Sequence, residues 1–503
     1  MAKYRTTDAA AGQGLFITVN LKEQLLPGTL EHMLDELIGT TIDTSVFDKN
    51  YRNDQTGASA VPPAVLLKLI IYGYSKGCNS SRKLWNLSRE NIVAKALTGD
   101  MDIHFTTIAD FISGHPSEVQ AVFTRILAYC NELGLIGGEM FAIDGLRLPS
   151  NASMEMSGTR QELEKRHGVY QRMAEKHLSR HQQKDELGEV TEETRERFEQ
   201  QQKRLRAKIA NLSSFLQTME PKKGFSGREV KSNVTDNASA VIRSSKGYVQ
   251  GYIGTAATDS KNQIIIHAQA VGSANEGEHL PELLARAQGQ LAAASVAKLE
   301  GTEPVYMMDS NYFSEENLQA CKEQKVQALI PDIHEKRYRQ DNEKKRYEAG
   351  DFRYDETGNY YECPAGKKLT YRRTGVLGGR EGKEYYAQVQ DCRRCPLSAA
   401  CMRSKKEPEQ WKDGRSLFIT RSNEPRSLCA AMREKMAEEQ YQAIYAYRIQ
   451  IAEPVFANIR HCKGLNRFTL RGEEKVNGQW QLYCMVHNLG KCLNELNRRR
   501  NTV

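Results

Sequence analysis

No stretch of this chain comes near the ~20 consecutive apolar residues that a membrane-crossing helix needs. The longest apolar run, residues 64–72, is interrupted by Lys68. The opening Met1-Ala-Lys-Tyr-Arg leads into no apolar segment of the usual length and no small-residue cleavage site, so no secretory leader and no membrane partner is expected. Regular cysteine pairing is lacking as well. There are 11 cysteines, an odd number, and most stand singly. This argues against a disulfide framework and for a reducing cytoplasm, where clustered cysteines bind metal instead. What the chain does have is length: 503 residues, 39% hydrophobic and 27% charged, can form several domains around a substantial core. Its net charge of +8 favours a polyanionic partner. Three basic clusters contribute, Lys336-Arg337-Tyr338-Arg339, Lys344-Lys345-Arg346 and Arg498-Arg499-Arg500, although each alone reads equally well as a solvated face.

Residues 1–135 read as helical. Val61-Pro-Pro-Ala starts one buried helix, and Asn79-Ser80-Ser81-Arg82 is a turn and cap for a second, carrying Arg82, Lys83 and Arg89. A third begins near His104 with Thr106 or Thr107 as cap. A fourth, over 117–133, places Val119, Val122, Phe123, Ile126 and Leu127 on one stripe. Short helices joined by tight turns suit a helix-turn-helix-like DNA-binding unit, and equally a plain bundle that packs on its neighbour. Residues 155–220 are charged and helical. Leu205, Ile209, Leu212, Leu216 and Met219 form a coiled-coil-like seam, Gly188 interrupts the pattern and Thr191 caps the second helical stretch, so a helical hairpin is predicted. From residue 230 strands alternate with helices, which indicates an α/β core. His267 falls inside a strand and reads as a histidine without chemistry. Short strand-like runs fill 340–425. A helix over 434–460 comes next, with a kink or break expected at Pro454, and a last helix lies near 480–496.

Two carboxylates end predicted strands: Asp144 in Phe141-Ala-Ile-Asp-Gly and Asp309 in Pro304-Val-Tyr-Met-Met-Asp. Glu453 sits on the late helix. Three such acids can converge on one sheet edge, and hard oxygen ligands with open positions suit Mg²⁺. Alone, an acid at a strand end is more often a turn residue, which is also the reading for Asp236 and Asp259. Cys363, Cys392-Arg-Arg-Cys395 and Cys401 form a cluster with the spacing of a structural Zn²⁺ site, the alternative being incidental thiols.

These motifs, in this order, resemble the DDE transposases of bacterial insertion sequences. Ala142-Ile-Asp144-Gly is similar to their first-Asp motif and Met308-Asp309-Ser-Asn-Tyr-Phe to their second. Tyr445-Ala-Tyr-Arg448, Glu453-Pro-Val-Phe and Arg460 resemble the Tyr-Arg-Glu-Lys signature, with four residues rather than three between Arg448 and Glu453, and Arg in place of Lys at 460. The resemblance implies an RNase H-like mixed sheet within an α/β fold. It divides the chain into a helical DNA-binding domain at 1–135 and a first core part at 136–335 holding the helical insertion 155–220. A cysteine-rich insertion lies at 336–430, and the rest of the core, with the Glu helix, at 431–503. It further implies that Asp144, Asp309 and Glu453 bind two Mg²⁺ ions, and that Tyr445, Arg448 and Arg460, with Arg82 and Lys83 in the helical domain, contact DNA. The substrates would be terminal inverted repeats and target double-stranded DNA, the assembly a homodimer and the location the nucleoid. A nuclease of the same fold and an inactive DNA-binding derivative are the rival readings.

Overall fold

A computed structural model describes residues 18–51, 59–187, 191–224, 227–244, 247–297, 301, 303–332, 347–378, 380–402, 404 and 406–502. Gly188 and the basic clusters at 336–339 and 344–346 lie outside the described residues. The helical preface comprises α1 (Leu30–Leu37), α2 (Pro63–Ser75), α3 (Ser81–Glu90), α4 (Ile92–Thr98), α5 (Phe105–Gly114) and α6 (Pro116–Glu132). Local chemistry sets their starts. Pro63 occupies the first turn of α2, where its missing N–H is not needed. Ser80 caps α3 by accepting from the Lys83 N–H at 3.4 Å, and Asn91 caps α4 by accepting from the Ala94 N–H at 2.9 Å. The cap of α5 differs from the expected threonine. His104 takes that place, its ring nitrogen lying 3.4 Å from the Thr106 N–H. The predicted α6 stripe, Val119 to Leu127, is buried.

β1 (Met140–Pro149) opens the central sheet. A small ladder of β2 (Ser157–Gly158) and β3 (Ser232–Asn233) closes the base of a helical hairpin, α7 (Arg160–Glu186) and α8 (Glu192–Thr218). Thr191 caps α8 as predicted, in a reciprocal arrangement with Thr194. The α8 seam packs within the chain, against Leu163 and Tyr170 of α7. Next come β4 (Ala240–Ser244), β5 (Gly247–Asp259), β6 (Ile265–Val271), α9 (Leu280–Ala293), β7 (Val305–Met308), α10 (Glu315–Glu323) and β8 (Gln327–Leu329). The sheet runs β4-β5-β1-β7-β8, with β6 also paired to β5. β1 is antiparallel to β5 and parallel to β7, so the sheet is mixed. His267 lies buried in β6, bonded to Gln290 at 2.6 Å, and burial pushes its imidazole down to about 4. It is a core residue, as its context suggests.

A second sheet, β9 (Arg353–Asp355), β10 (Tyr360–Glu362), β11 (Lys368–Leu377), β12 (Arg380–Ala387) and β13 (Ser416–Thr420), is wholly antiparallel and has its own small core around Leu369, Tyr361 and Ile419. The chain then returns through α11 (Leu428–Ala437), α12 (Glu439–Ala457) and α13 (Glu473–Thr502). The predicted single helix over 434–460 is thus two, α11 and α12, and Pro454 does not end α12, which runs through it to Ala457. The carbonyl of Gln450, which Pro454 cannot bond, accepts instead from the Gln263 side chain at 2.8 Å. A π-helical turn at Asn458–Cys462 ends the run. The middle of α13, buried on every side from Gly478 to Leu489 and carrying Trp480, Tyr483 and Leu489, joins the helical preface and the central sheet in one continuous core. Among the described residues no helix is long and apolar enough to cross a membrane.

Candidate active site

Asp144 is not at the end of its strand, as its sequence suggests, but halfway along β1. It stands where the parallel pairing with β7 stops. The last paired residues are Ile143 and Met308, so the next residues, Asp144 and Asp309, sit side by side at the same level. β1 then continues beside β5 alone, with Asp144 opposite Ala256. Asp309 caps the turn Ser310–Tyr312. Its two oxygens accept from the Asn311 main-chain and side-chain nitrogens, each at 2.9 Å. Asp144 accepts from the Gly145 N–H at 2.8 Å and pairs with Arg448 at 2.8 Å. Burial raises the Asp144 carboxyl above the usual range and Asp309 adds to this, while Arg448 opposes it.

A third carboxylate joins the pair, and sequence reasoning missed it. Glu276, in the turn before α9, is 3% exposed. One oxygen, Oε1, accepts from Arg147 and from the Asn311 side chain, both at 3.1 Å. The other, Oε2, is buried without a hydrogen-bond partner. Burial, then Asp309, push its carboxyl up to about 7, with Asp144 a smaller contributor. Asn275-Glu-Gly-Glu reads as an ordinary turn, so nothing near Glu276 announces it. The legible sign is Gly145: a glycine inside a strand marks a close approach. A Cβ at Gly145 would lie 2.0 Å from Glu276 Oε2.

Other candidates fall elsewhere. Glu453 is exposed on α12. It lies about 140° round the helix from Arg448 at ~100° per residue, on a stretch held beside the β5–β6 turn by Gln263. The expected convergence of Glu453 on Asp144 and Asp309 is therefore not seen; the buried face of α12 presents Tyr445, Arg448 and Ala452 instead. Tyr445 donates to the Met308 carbonyl at 3.1 Å, tying α12 to the strand end before Asp309. Arg460 is half-buried in the π-helical turn, with its Nε–H buried and without a partner. Arg82 and Lys83 are exposed on α3, Arg82 lying over the Phe105 ring at 5.0 Å. The turn acids behave as structural groups: Asp236 accepts from the Tyr252 hydroxyl and Asp259 from the Gly137, Gly138 and Lys261 N–H groups. Arg498 and Arg499 pair with Glu495 on their own helix.

The four cysteines line one small cavity beside the second sheet. Main-chain N–H groups of Lys367, Arg415 and Leu397 point at the sulfurs of Cys363, Cys392 and Cys395 at 3.3 to 3.4 Å. Even so, among the described residues no three histidine, cysteine or acidic side chains are placed to hold a metal ion together, here or beside Asp144.

Residues 362–493, which include α12 and the cysteine cavity, match the family described as Transposase DDE domain. Residues 20–114, most of the helical preface, match Transposase domain (DUF772). The chain is a DDE transposase of the insertion-sequence type. No curated protein matches it significantly. Neither family match spans Asp144, Glu276 or Asp309, so the acidic group of this transposase rests on its geometry. A transposase acts on DNA, which accords with the positive charge of the chain.

Proposed function

We propose that this transposase cuts the ends of its own element and joins the freed 3′ ends to target DNA by two-metal-ion phosphoryl transfer, within an RNase H-like core. The observation that carries this reading is the pair Asp144 and Asp309, level with each other at the end of the parallel pairing of β1 and β7, with the Arg448 guanidinium on Asp144. The donors suit Mg²⁺ in kind: they are carboxylates, and one buried oxygen, on Glu276, lacks a partner, although their side chains do not surround one point here. Asp144 and Asp309 would hold the ions, which when bound activate the attacking oxygen and steady the leaving one. Glu453 enters as third ligand from the family resemblance alone. Arg448 neutralises Asp144 while no substrate is present, and its fork geometry suits a DNA phosphate. Tyr445 fixes α12 against β7 so that this guanidinium stays in place. Arg460, with its unpartnered Nε–H, is a second phosphate donor, and Arg82 and Lys83 present charge on the helical preface for duplex DNA. The assembly is taken to be a homodimer on paired ends in a bacterial nucleoid.

The test is a cleavage and joining assay with Mg²⁺ on DNA bearing the inverted repeats that flank the gene. Cutting and then joining supports the proposal. Cutting without joining assigns a nuclease, and no cutting leaves a DNA-binding derivative.

The cysteine cavity is assigned to a structural Zn²⁺, on the strength of four thiols and the N–H groups aimed at three of them. Elemental analysis of the purified chain is expected to find one zinc per chain, lost when Cys392 and Cys395 are both replaced by serine. A metal-free wild-type chain that melts normally would overturn the assignment.

A further inference from the structure

We propose that Glu276 is a metal-binding carboxylate of the catalytic centre, drawn together with Asp144 and Asp309 when an ion binds, since the three are not gathered around one point in this structure; this rests on the metal-dependent reading above. Three independent features converge on it. A buried carboxylate oxygen without a donor costs free energy, and Glu276 Oε2 is such an oxygen in a residue only 3% exposed. A purely structural acid beside Arg147 would be expected to use both oxygens, yet only Oε1 is engaged.

Second, that free oxygen lies over bare backbone. A Cβ at Gly145 would come within 2.0 Å of it and 2.7 Å of the Ile253 side chain, so Glu276 reaches in over the residue after Asp144 where only glycine leaves room. The turn is equally tight on its other side, where a Cβ at Gly277 would come within 2.5 Å of the Asn311 carbonyl. Third, one amide group couples the acids. The Asn311 side-chain nitrogen donates to Glu276 Oε1 at 3.1 Å and to Asp309 Oδ2 at 2.9 Å. Glu276 and Asp309 are therefore held on either side of one nitrogen, while Asp144 lies level with Asp309. Among the described residues, the cations paired directly with this group of acids are Arg147, on Glu276, and Arg448, on Asp144. A divalent ion supplies the charge that such a group lacks.

The decisive measurement is Mn²⁺ binding to the full chain without DNA, monitored by electron paramagnetic resonance. Glu276→Gln retains an acceptor for Arg147 and Asn311, so it removes the charge with little change of shape. It is expected to weaken Mn²⁺ binding at least about tenfold, the scale on which shell residues affect metal affinity. Asp144→Asn serves as the reference. If Asp144→Asn loses Mn²⁺ and Glu276→Gln binds as wild type does, Glu276 is structural and the proposal is wrong while the centre stands. If neither change affects binding, the metal-dependent reading itself fails. The wild-type chain gives a second test that needs no variant: with Fe²⁺ and ascorbate in aerobic buffer, the backbone should be cut near 276 as well as near 144 and 309. Cuts at the two aspartates with none around 276 would also overturn the proposal.

Discussion

Asp144→Asn is expected to reduce strand cleavage by at least about a thousandfold, the scale on which preorganised charge at a reacting centre acts, while the chain stays folded. Asparagine keeps the shape and can still accept from the Gly145 N–H, but it offers a metal ion no charge. Folding should survive because two effects on stability oppose one another. The substitution breaks the ion pair with Arg448, which destabilises. It also removes a charge that burial and the neighbouring Asp309 disfavour, which stabilises. The check is single-turnover cutting of end-labelled DNA on denaturing gels, with circular dichroism on the same preparation. Cleavage within tenfold of wild type would take Asp144 out of the catalytic centre. Loss of cleavage with intact spectra would keep it there.

Trp480→Ala should be the most damaging single truncation, costing about 3–5 kcal/mol. Trp480 is fully buried on α13 and touches three separate parts of the chain. Its ring covers Gly254 of β5, where a Cβ would sit 3.0 Å from the indole. It stacks on Phe456 of α12 and meets Phe468 edge-on. Its indole N–H donates to the Thr255 carbonyl at 2.9 Å. Removing it leaves a cavity where α12, the helix that carries Arg448, rests on the core. The urea midpoint should fall markedly, and cleavage with it. Trp480→Phe separates packing from hydrogen bonding: most of the volume remains, and only a buried carbonyl loses its donor, which costs about 1–3 kcal/mol. Equal effects of the two variants would show that the hydrogen bond, not the packing, dominates.

The difference between Asp144 and Glu276 shows how much of the site is readable in one dimension. Asp144 and Asp309 each come directly after an apolar run, and a strand of that kind delivers the next residue to a predictable place. Their adjacency was therefore legible once both runs were taken as parallel neighbours. Glu276 comes after a serine, an alanine and an asparagine in a turn, and only the collision waiting at Gly145 betrays it. Glu453 is the opposite case. Its motif is strong, but a helix position has a direction as well as a place, and the direction depends on which face packs. Ile451, Ala452 and Val455 turn inward, so Glu453 turns out.

By itself the sequence determined the local framework of this transposase: helix starts at Ser80 and Thr191, the buried stripe of α6, the hairpin seam and the α/β alternation. Caps and periodic apolar positions act over a few residues, so their outcome is written where they stand. Only the tertiary structure decided which charged groups meet. The sheet order sets Asp144 beside Asp309, the rotation of α12 chooses Arg448 over Glu453, and a turn more than a hundred residues from Asp144 supplies Glu276. Those choices come from packing one continuous core, where a shift of one helix face changes which side chains share a low-dielectric space.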